Sequence, residues 1–408
     1  MGQKIISAID IRADKVICLI AQELQILDKG KILQLIGIGT SKLKVNCLKP
    51  FSLETDEIKN HLDAAISKAE VDAGIKISNV YVSISENMKS DYIEFENKIS
   101  GRIITENDIK SFFEDTKFKR LYTETDEPLH SFPISYKVDN KKSLSDPIGV
   151  KAETLHTKWH VISTSKDYLS KILDLLNNQD ISLKQIVSSH YASSLAVLSD
   201  EEADNGAVSI DIQKNKTIIS YTFDNQLIGY DTVKVGTYNF SNDISQVKSI
   251  SLEEAEIVRK QIDTMNSQRI YEKKLEKYFE IYSSRAEELS NLIKNIIYKS
   301  KFSSLVSNNI VLTGYGAKSL TMQKFIKNQM SDSNFRLGST KKINGSKTYL
   351  DNPSLASAFG LLNYAANHNM EGDKDESKSE KKSVFSVVYN FFRNLYVVTK
   401  RNNLCFFL

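Results

Sequence analysis

Two apolar hairpins about 200 residues apart constrain this chain more than any other feature of its sequence. In the first, Ile5, Ile6, Ala8, Ile9 and Ile11 lead into the polar run Arg12-Ala13-Asp14-Lys15, and Val16, Ile17, Leu19 and Ile20 resume. β-Branched residues on both sides of a short polar turn predict two antiparallel strands. The second hairpin has strands at 207–212 and 216–223, with a further strand over 226–233. After the first hairpin a third strand is expected over 33–39. A helix follows, with Thr55 as N-cap and Asp56 and Glu57 suiting its dipole. Ile58, Leu62, Ala65, Ile66 and Ala69 share one face of it, and Gly74 stops it. A strand over 79–84 completes a β-β-β-α-β unit. Its restart half-way along the chain implies a duplicated α/β plan.

Residues 85–151 interrupt that plan. They hold three of the five prolines, Pro128, Pro133 and Pro147. A helix over 107–118 among short strands such as 134–138 predicts a small inserted α+β unit. Beyond it a strand over 159–163, a helix over 167–177, and a strand over 181–187 leading into a helix over 191–198 are expected. Further helices are predicted over 252–261 and 270–302. The second carries Leu275, Phe279, Tyr282, Ala286, Leu289, Ile293 and Ile296 at helical spacing. A buried strand over 310–312 ends in Thr313-Gly314-Tyr315-Gly316, and a small-residue helix covers 353–364.

Charge and composition narrow the function. The 408 residues hold 54 basic and 51 acidic side chains, net +3, which argues against a general nucleic-acid binder. With 41% hydrophobic and 26% charged residues the chain can bury a core. Cys18, Cys47 and Cys405 are odd in number and widely spaced, so neither a disulfide framework nor a zinc site is expected, and a reducing cytoplasm fits. The first nine residues lack the apolar run of a signal peptide, and no uninterrupted apolar stretch is long enough to span a membrane. His156 and His160 fall on a strand, ~13 Å apart, too far to share a metal. His130 is read as a turn histidine bonded to backbone.

The C-terminal region reads in two parts. Residues 371–382 contain no apolar side chain and predict a flexible linker. In the tail that follows, Phe385, Val388, Phe391, Phe392, Leu395 and Tyr396 fall on one side of a helix, with Ser386, Asn390, Arg393 and Asn394 on the other. This is the pattern of a helix lying in a membrane interface. Asn390 and Arg393 disfavour a span. Arg393, Lys400 and Arg401, with no acid, equal the whole-chain excess. The final Cys405-Phe406-Phe407-Leu408 fits a prenylation signal only superficially and is read as a hydrophobic end.

The order of segments resembles the bacterial FtsA cell division family, which is actin-like. AIDIRADKVICLI (8–20), AEVDAG (69–74) and VYVSIS (80–85) occur in the expected order. PLHSFPISYKVDN (128–140) is the most specific match. DPIGV (146–150), ASSLAVL (192–198), VSIDI (208–212), NDI (242–244), EEAEIVR (253–259) and IVLTG (310–314) complete it. The resemblance implies two actin-like lobes around a nucleotide cleft. Residues 1–82 with 156–190 would form the first lobe, 83–155 the inserted subdomain, 191–225 with 303–365 the second lobe, and 226–302 its smaller subdomain. Residues 366–382 would be the linker and 383–408 a membrane-targeting segment.

The implied function is a peripheral protein at the cytoplasmic face of the inner membrane, at the division site. It would polymerise with its own copies, bind the C-terminal peptide of FtsZ, tether that filament to lipid, and recruit later division proteins through the inserted subdomain. Arg269, Lys273, Lys274 and Lys277, interleaved with Glu272 and Glu276, read as a solvated face, in the subdomain the resemblance assigns to filament binding.

The resemblance also implies an ATP site. Asp10 and Asp211 would hold a hydrated Mg2+. Lys15, Lys214, Lys216, Gly236, Glu256, Arg259, Gly314 and Gly316 would surround the nucleotide. The phosphate hairpins depart from the family pattern. Arg12 stands where glycine is expected. The second hairpin reads Asp211-Ile212-Gln213-Lys214-Asn215-Lys216-Thr217-Ile218 in place of D-I-G-G-G-T-T-D. Tyr315 replaces another glycine. The chain has only 16 glycines, about 4% against roughly 7% in an average chain. Either Lys214 and Lys216 contact phosphate by side chain, or the lobes are held together without nucleotide. In both cases hydrolysis is expected to be weak or absent. An active ATPase or small-molecule kinase of the actin-like superfamily, and a relative serving pilus or secretion assembly, are the alternative readings.

Overall fold

The computed structural model describes residues 4–368, apart from 27–29, 43–55, 117, 120–124, 140–142, 265–272, 307 and 341–342. The first hairpin forms β1 (Lys4–Arg12) and β2 (Lys15–Ile26), followed by β3 (Gly30–Lys42), α1 (Asp56–Ala73) and β4 (Asn79–Ile84). Next come β5 (Lys89–Ile103), α2 (Glu106–Lys110), β6 (Asp126–Val138), β7 (Ser143–Leu144) and β8 (Lys151–Ser165). The chain continues with α3 (Lys166–Asn177), β9 (Ser182–Ser188), α4 (Ser189–Val197), α5 (Asp200–Asn205), β10 (Ala207–Ile212), β11 (Thr217–Phe223) and β12 (Gln226–Val233). Then follow α6 (Thr237–Lys248), α7 (Leu252–Thr264), α8 (Lys273–Lys299), α9 (Ser303–Val306), β13 (Asn309–Thr313), α10 (Leu320–Gln329), β14 (Asn334–Leu337), β15 (Ile343–Asn344), α11 (Lys347–Leu350) and α12 (Ala356–His368).

The duplication is a duplication of topology. One sheet has the order β15-β3-β2-β1-β4-β9 and the other β12-β11-β10-β13-β14. In each, three antiparallel strands are extended by two parallel ones that return after helices. The central strands β1 and β10 read as near-continuous apolar runs because helices cover both faces. Helices α1 and α3 cover one face of the first sheet, and α6, α7, α8 and α10 pack with the second. Helices α4 and α12 lie between the sheets, sharing a core with Ile6, Ala8 and Tyr81 of the first and Ala207 and Val311 of the second. They approach so closely that a Cβ on Gly360 would stand 1.7 Å from the Ala192 carbonyl oxygen. The small residues of both helices thus set the spacing of the two halves.

The insert is a four-stranded antiparallel sheet, β5-β8-β6-β7. Three of its strands, β5, β6 and β8, are far longer than the short ones expected. Pro128 and Pro133 fall where the β6–β8 register slips, because proline has no N–H for the ladder. The helix expected over 107–118 is broken up: α2 gives way to a 3-10 turn, Ser111–Glu114, before helical residues resume at 116, 118 and 119. There Phe112 stacks on Trp159 at 4.4 Å, and packing sets the backbone over helical pattern. His130 lies in β6, not in a turn. Helices α6 and α10 were not expected from the sequence. Strand β15 pairs with β3, and α12 packs on the first sheet while sharing its core with Ala207 and Val311 of the second. Residues 366–368 are helical, not linker. The rest of the linker, the tail with Phe385, Val388, Phe391, Phe392, Arg393, Leu395 and Tyr396, and Cys47, Thr55, Arg269, Glu272 and Cys405 lie outside the described residues. No helix among the described residues is long and apolar enough to cross a membrane.

Candidate functional site

The duplicated topology brings two aspartates to equivalent places. Asp10 of β1 pairs with Ile17 and lies beside Ser83 of β4. Asp211 of β10 pairs with Ile218 and lies beside Thr313 of β13. Both carboxylates are buried, at 0% and 3% exposure. Asp10 Oδ1 accepts from Ser83 Oγ at 2.7 Å. Its Oδ2 accepts from Arg12 Nε at 2.6 Å and from the Ser357 hydroxyl on α12. Arg12 Nη2 in turn donates to Ser357 Oγ at 2.5 Å. Asp211 Oδ2 accepts from Ser193 Oγ of α4 at 3.0 Å and from Gln213 Nε2 at 2.9 Å. Asp211 Oδ1 is buried without a hydrogen-bond partner.

The electrostatics follow from that packing. Burial disfavours the Arg12 charge, but Asp10 and then Asp211 outweigh it, and the guanidinium holds its proton above its usual range. The Lys15 ammonium, also buried, donates to the Ser354 carbonyl at 3.2 Å. Burial first and Arg12 second bring its pKa down to about 8.

The remaining expected residues also face their own chain. Lys216 Nζ donates to the Ser85 carbonyl at 2.5 Å and lies 2.9 Å from Glu86 Oε1, tying the second hairpin to the chain after β4. The side chain of Lys214 is half-buried, and its carbonyl accepts from Tyr238 N–H at 2.8 Å. The Gln213 carbonyl accepts from Thr237 N–H at 3.0 Å. These are first-turn donors of α6, the kind that bind anions when free. A Cβ on Gly236 would stand 2.4 Å from the Lys214 carbonyl oxygen. One on Gly314 would stand 2.2 Å from Asp211 Oδ1, and one on Gly316 2.4 Å from Ile212 Cγ2. All three glycines therefore clear the second hairpin itself. Arg259, 1% exposed, donates to Glu256 Oε1 at 2.8 Å, pairs with Asp263 and lies 5.3 Å from the Tyr315 ring centre. Burial would raise the Glu256 pKa, but Arg259, Ser241 and Lys260 hold it down at about 2.

Sequence reasoning did not find Ser83, Ser193, Ser354, Ser357 or Gln213 at this site. The serines sit inside apolar helix and strand runs such as Ala356-Ser357-Ala358, and a polar residue at a core position was the available signal. The residues present do not fit a magnesium–nucleotide complex. A hydrated divalent ion needs carboxylate oxygens turned to an open space, and phosphates need free N–H groups. Here both oxygens of Asp10 and one of Asp211 are taken by side-chain donors, a fixed cation is paired with Asp10, and the first α6 donors are used internally.

Comparison with known proteins adds sequence kinship to this geometry. A profile described as "SHS2 domain inserted in FTSA" matches residues 85–163. The "Cell division protein FtsA" of Rhizobium meliloti (strain 1021) is 26% identical over 386 residues, covering 88% of this chain and 87% of its own. That of Buchnera aphidicola subsp. Schizaphis graminum (strain Sg) is 27% identical over 399 residues, covering 89% and 91%. That of Escherichia coli (strain K12) is 22% identical over 414 residues, covering 94% and 96%. Among solved structures, a chain of the PilM-PilN type IV pilus biogenesis complex superposes with a TM-score of 0.62 at 12% identity, over 88% of this chain and 98% of that one. The diol dehydratase-reactivating factor in nucleotide-free form gives 0.52 at 8% identity, over 88% and 99%. These two likenesses concern the fold.

Proposed function

We propose, from the premise that this chain is a divergent relative of the FtsA cell division proteins with an actin-like body, that it is a membrane-bound division adaptor. In this reading it polymerises on the cytoplasmic face of the inner membrane at the division site and tethers FtsZ filaments there. The observation that carries the reading is the insert. A long-stranded antiparallel sheet interrupts the first half of a duplicated actin-like fold, at the residues the SHS2 profile matches. Helices α6 to α8 would receive the FtsZ C-terminal peptide, and the insert would receive later division proteins. The parts would be two lobes, the insert near 83–155, a linker and a lipid-binding tail.

The tail supplies the anchor. Phe385, Val388, Phe391, Phe392, Leu395 and Tyr396 would enter the interface with Arg393 at the headgroups. Apolar burial would provide most of the affinity, and each basic residue about 1 kcal/mol on an anionic surface. Nucleotide turnover has no part in the tether in this reading, since the chain's own groups engage both oxygens of Asp10, one of Asp211 and the first donors of α6. Sedimentation with anionic lipid vesicles tests the anchor. The full chain is expected to pellet, and a chain ending at Lys382 to stay in solution. Equal pelleting of both would overturn it.

A further inference from the structure

We propose that Arg12 is a built-in counter-ion, a guanidinium that serves where a divalent metal and its nucleotide would close an actin-like cleft. The inference is independent of the division role. It starts from a charge problem. The topology brings Asp10 and Asp211 into the interior from the two sheets, and buried carboxylates must be neutralised or hydrogen-bonded. The hairpin that carries Asp10 also buries two cations, Arg12 and Lys15, which are 3% and 6% exposed. Arg12 pairs directly with the first of these acids, donating to Asp10 at 2.6 Å. Through Ser357 it also engages α12, the helix between the sheets.

The second hairpin repeats the device in neutral form. Gln213 follows Asp211 by two positions, as Arg12 follows Asp10, and it too turns back on its own aspartate, at 2.9 Å. At both positions a long side chain stands where a glycine would let phosphate come close to the backbone. Lys216 adds a second tie, from its hairpin to the Ser85 carbonyl and Glu86. Arg12 and Lys15 do not make an anion site. Arg12 gives its Nε–H to Asp10 and an Nη2–H to Ser357, and Lys15 gives one N–H to the Ser354 carbonyl. An incoming phosphate would face two carboxylates as well. The halves are therefore held in one arrangement by side chains, and closure does not wait on a ligand.

Thermal unfolding of the full chain tests this, in EDTA and then with Mg2+ alone, ATP alone and both together. A ligand at 100 times its Kd shifts Tm by several degrees. The native chain is expected to show no shift under any of the three. A rise that requires Mg2+ and ATP together would overturn the proposal. The Arg12→Gln variant removes the cation from Asp10. It is expected to unfold several degrees below the native chain in EDTA and to recover part of that loss with Mg2+ alone. An R12Q chain with native Tm, or one that Mg2+ leaves unchanged, would also overturn it. Should R12Q fail to accumulate, the native titration decides the matter by itself.

Discussion

Gly314 shows what single residues do in this cleft. Its φ of +87° with an extended ψ is a conformation that side chains resist, and a Cβ there would also stand 2.6 Å from the Ile212 carbonyl oxygen. Gly149 has a similar φ of +85° with nothing within 4 Å of its missing Cβ. Gly149→Ala is expected to cost only the backbone part, about 1–3 kcal/mol. Gly314→Ala should exceed it clearly, because the hairpin must also shift. Urea unfolding of the two variants checks this, and equal losses would show that Gly314 is not a close-approach position. Much of this scale was legible. Asp10 and Asp211 were singled out because the resemblance puts an aspartate in each hairpin at those positions. The buried serines were not, because a lone hydroxyl in an apolar run marks a core position without saying which group it bonds. The arginine at position 12 was legible as a departure from pattern, while its role depended on which groups the fold brought to it.

At the scale of elements, the seam where β6, β8 and α4 meet carries three buried histidines. His160 Nδ1 lies 2.7 Å from the Leu227 carbonyl oxygen, His130 Nε2 accepts from Ser188 N–H, and His190 Nδ1 lies 3.0 Å from Ser188 Oγ. Burial first, then neighbouring histidines or lysines, lowers their pKa values, to about 3 for His130 and about 4 for His160. Unfolded histidines titrate near 6.5. Between these limits the unfolded chain binds more protons, so stability is fully present above pH ~6.5 and is lost as pH falls toward 4. Each histidine contributes a slope of at most about 1.4 kcal/mol per pH unit. Urea midpoints measured from pH 8 to 4.5 should be flat and then fall, and a midpoint that rises on acidification would contradict the burial. The insert's elements were the hardest to read beforehand. Strand β5 is mostly polar and exposed, so its length follows from pairing with β8, which no local pattern encodes. Hairpins, by contrast, announce themselves locally, and both were placed correctly.

At the scale of the whole molecule, two sheets of matching order enclose a helix pair, and the closing contacts come from the chain's own side chains. Such a body can present its surfaces for assembly without a nucleotide cycle. The duplication was legible from two hairpins alone. The return of β15 and α12 to the first sheet was not, since it depends on long-range packing. Fluorescent FtsZ on anionic supported bilayers tests the adaptor account most directly. With the full chain present, and no added nucleotide beyond the GTP that FtsZ uses, filaments are expected on the lipid, and a chain ending at Lys382 should leave them in solution. Recruitment that is equal for both chains, or that appears only when Mg2+–ATP is supplied, would contradict the account.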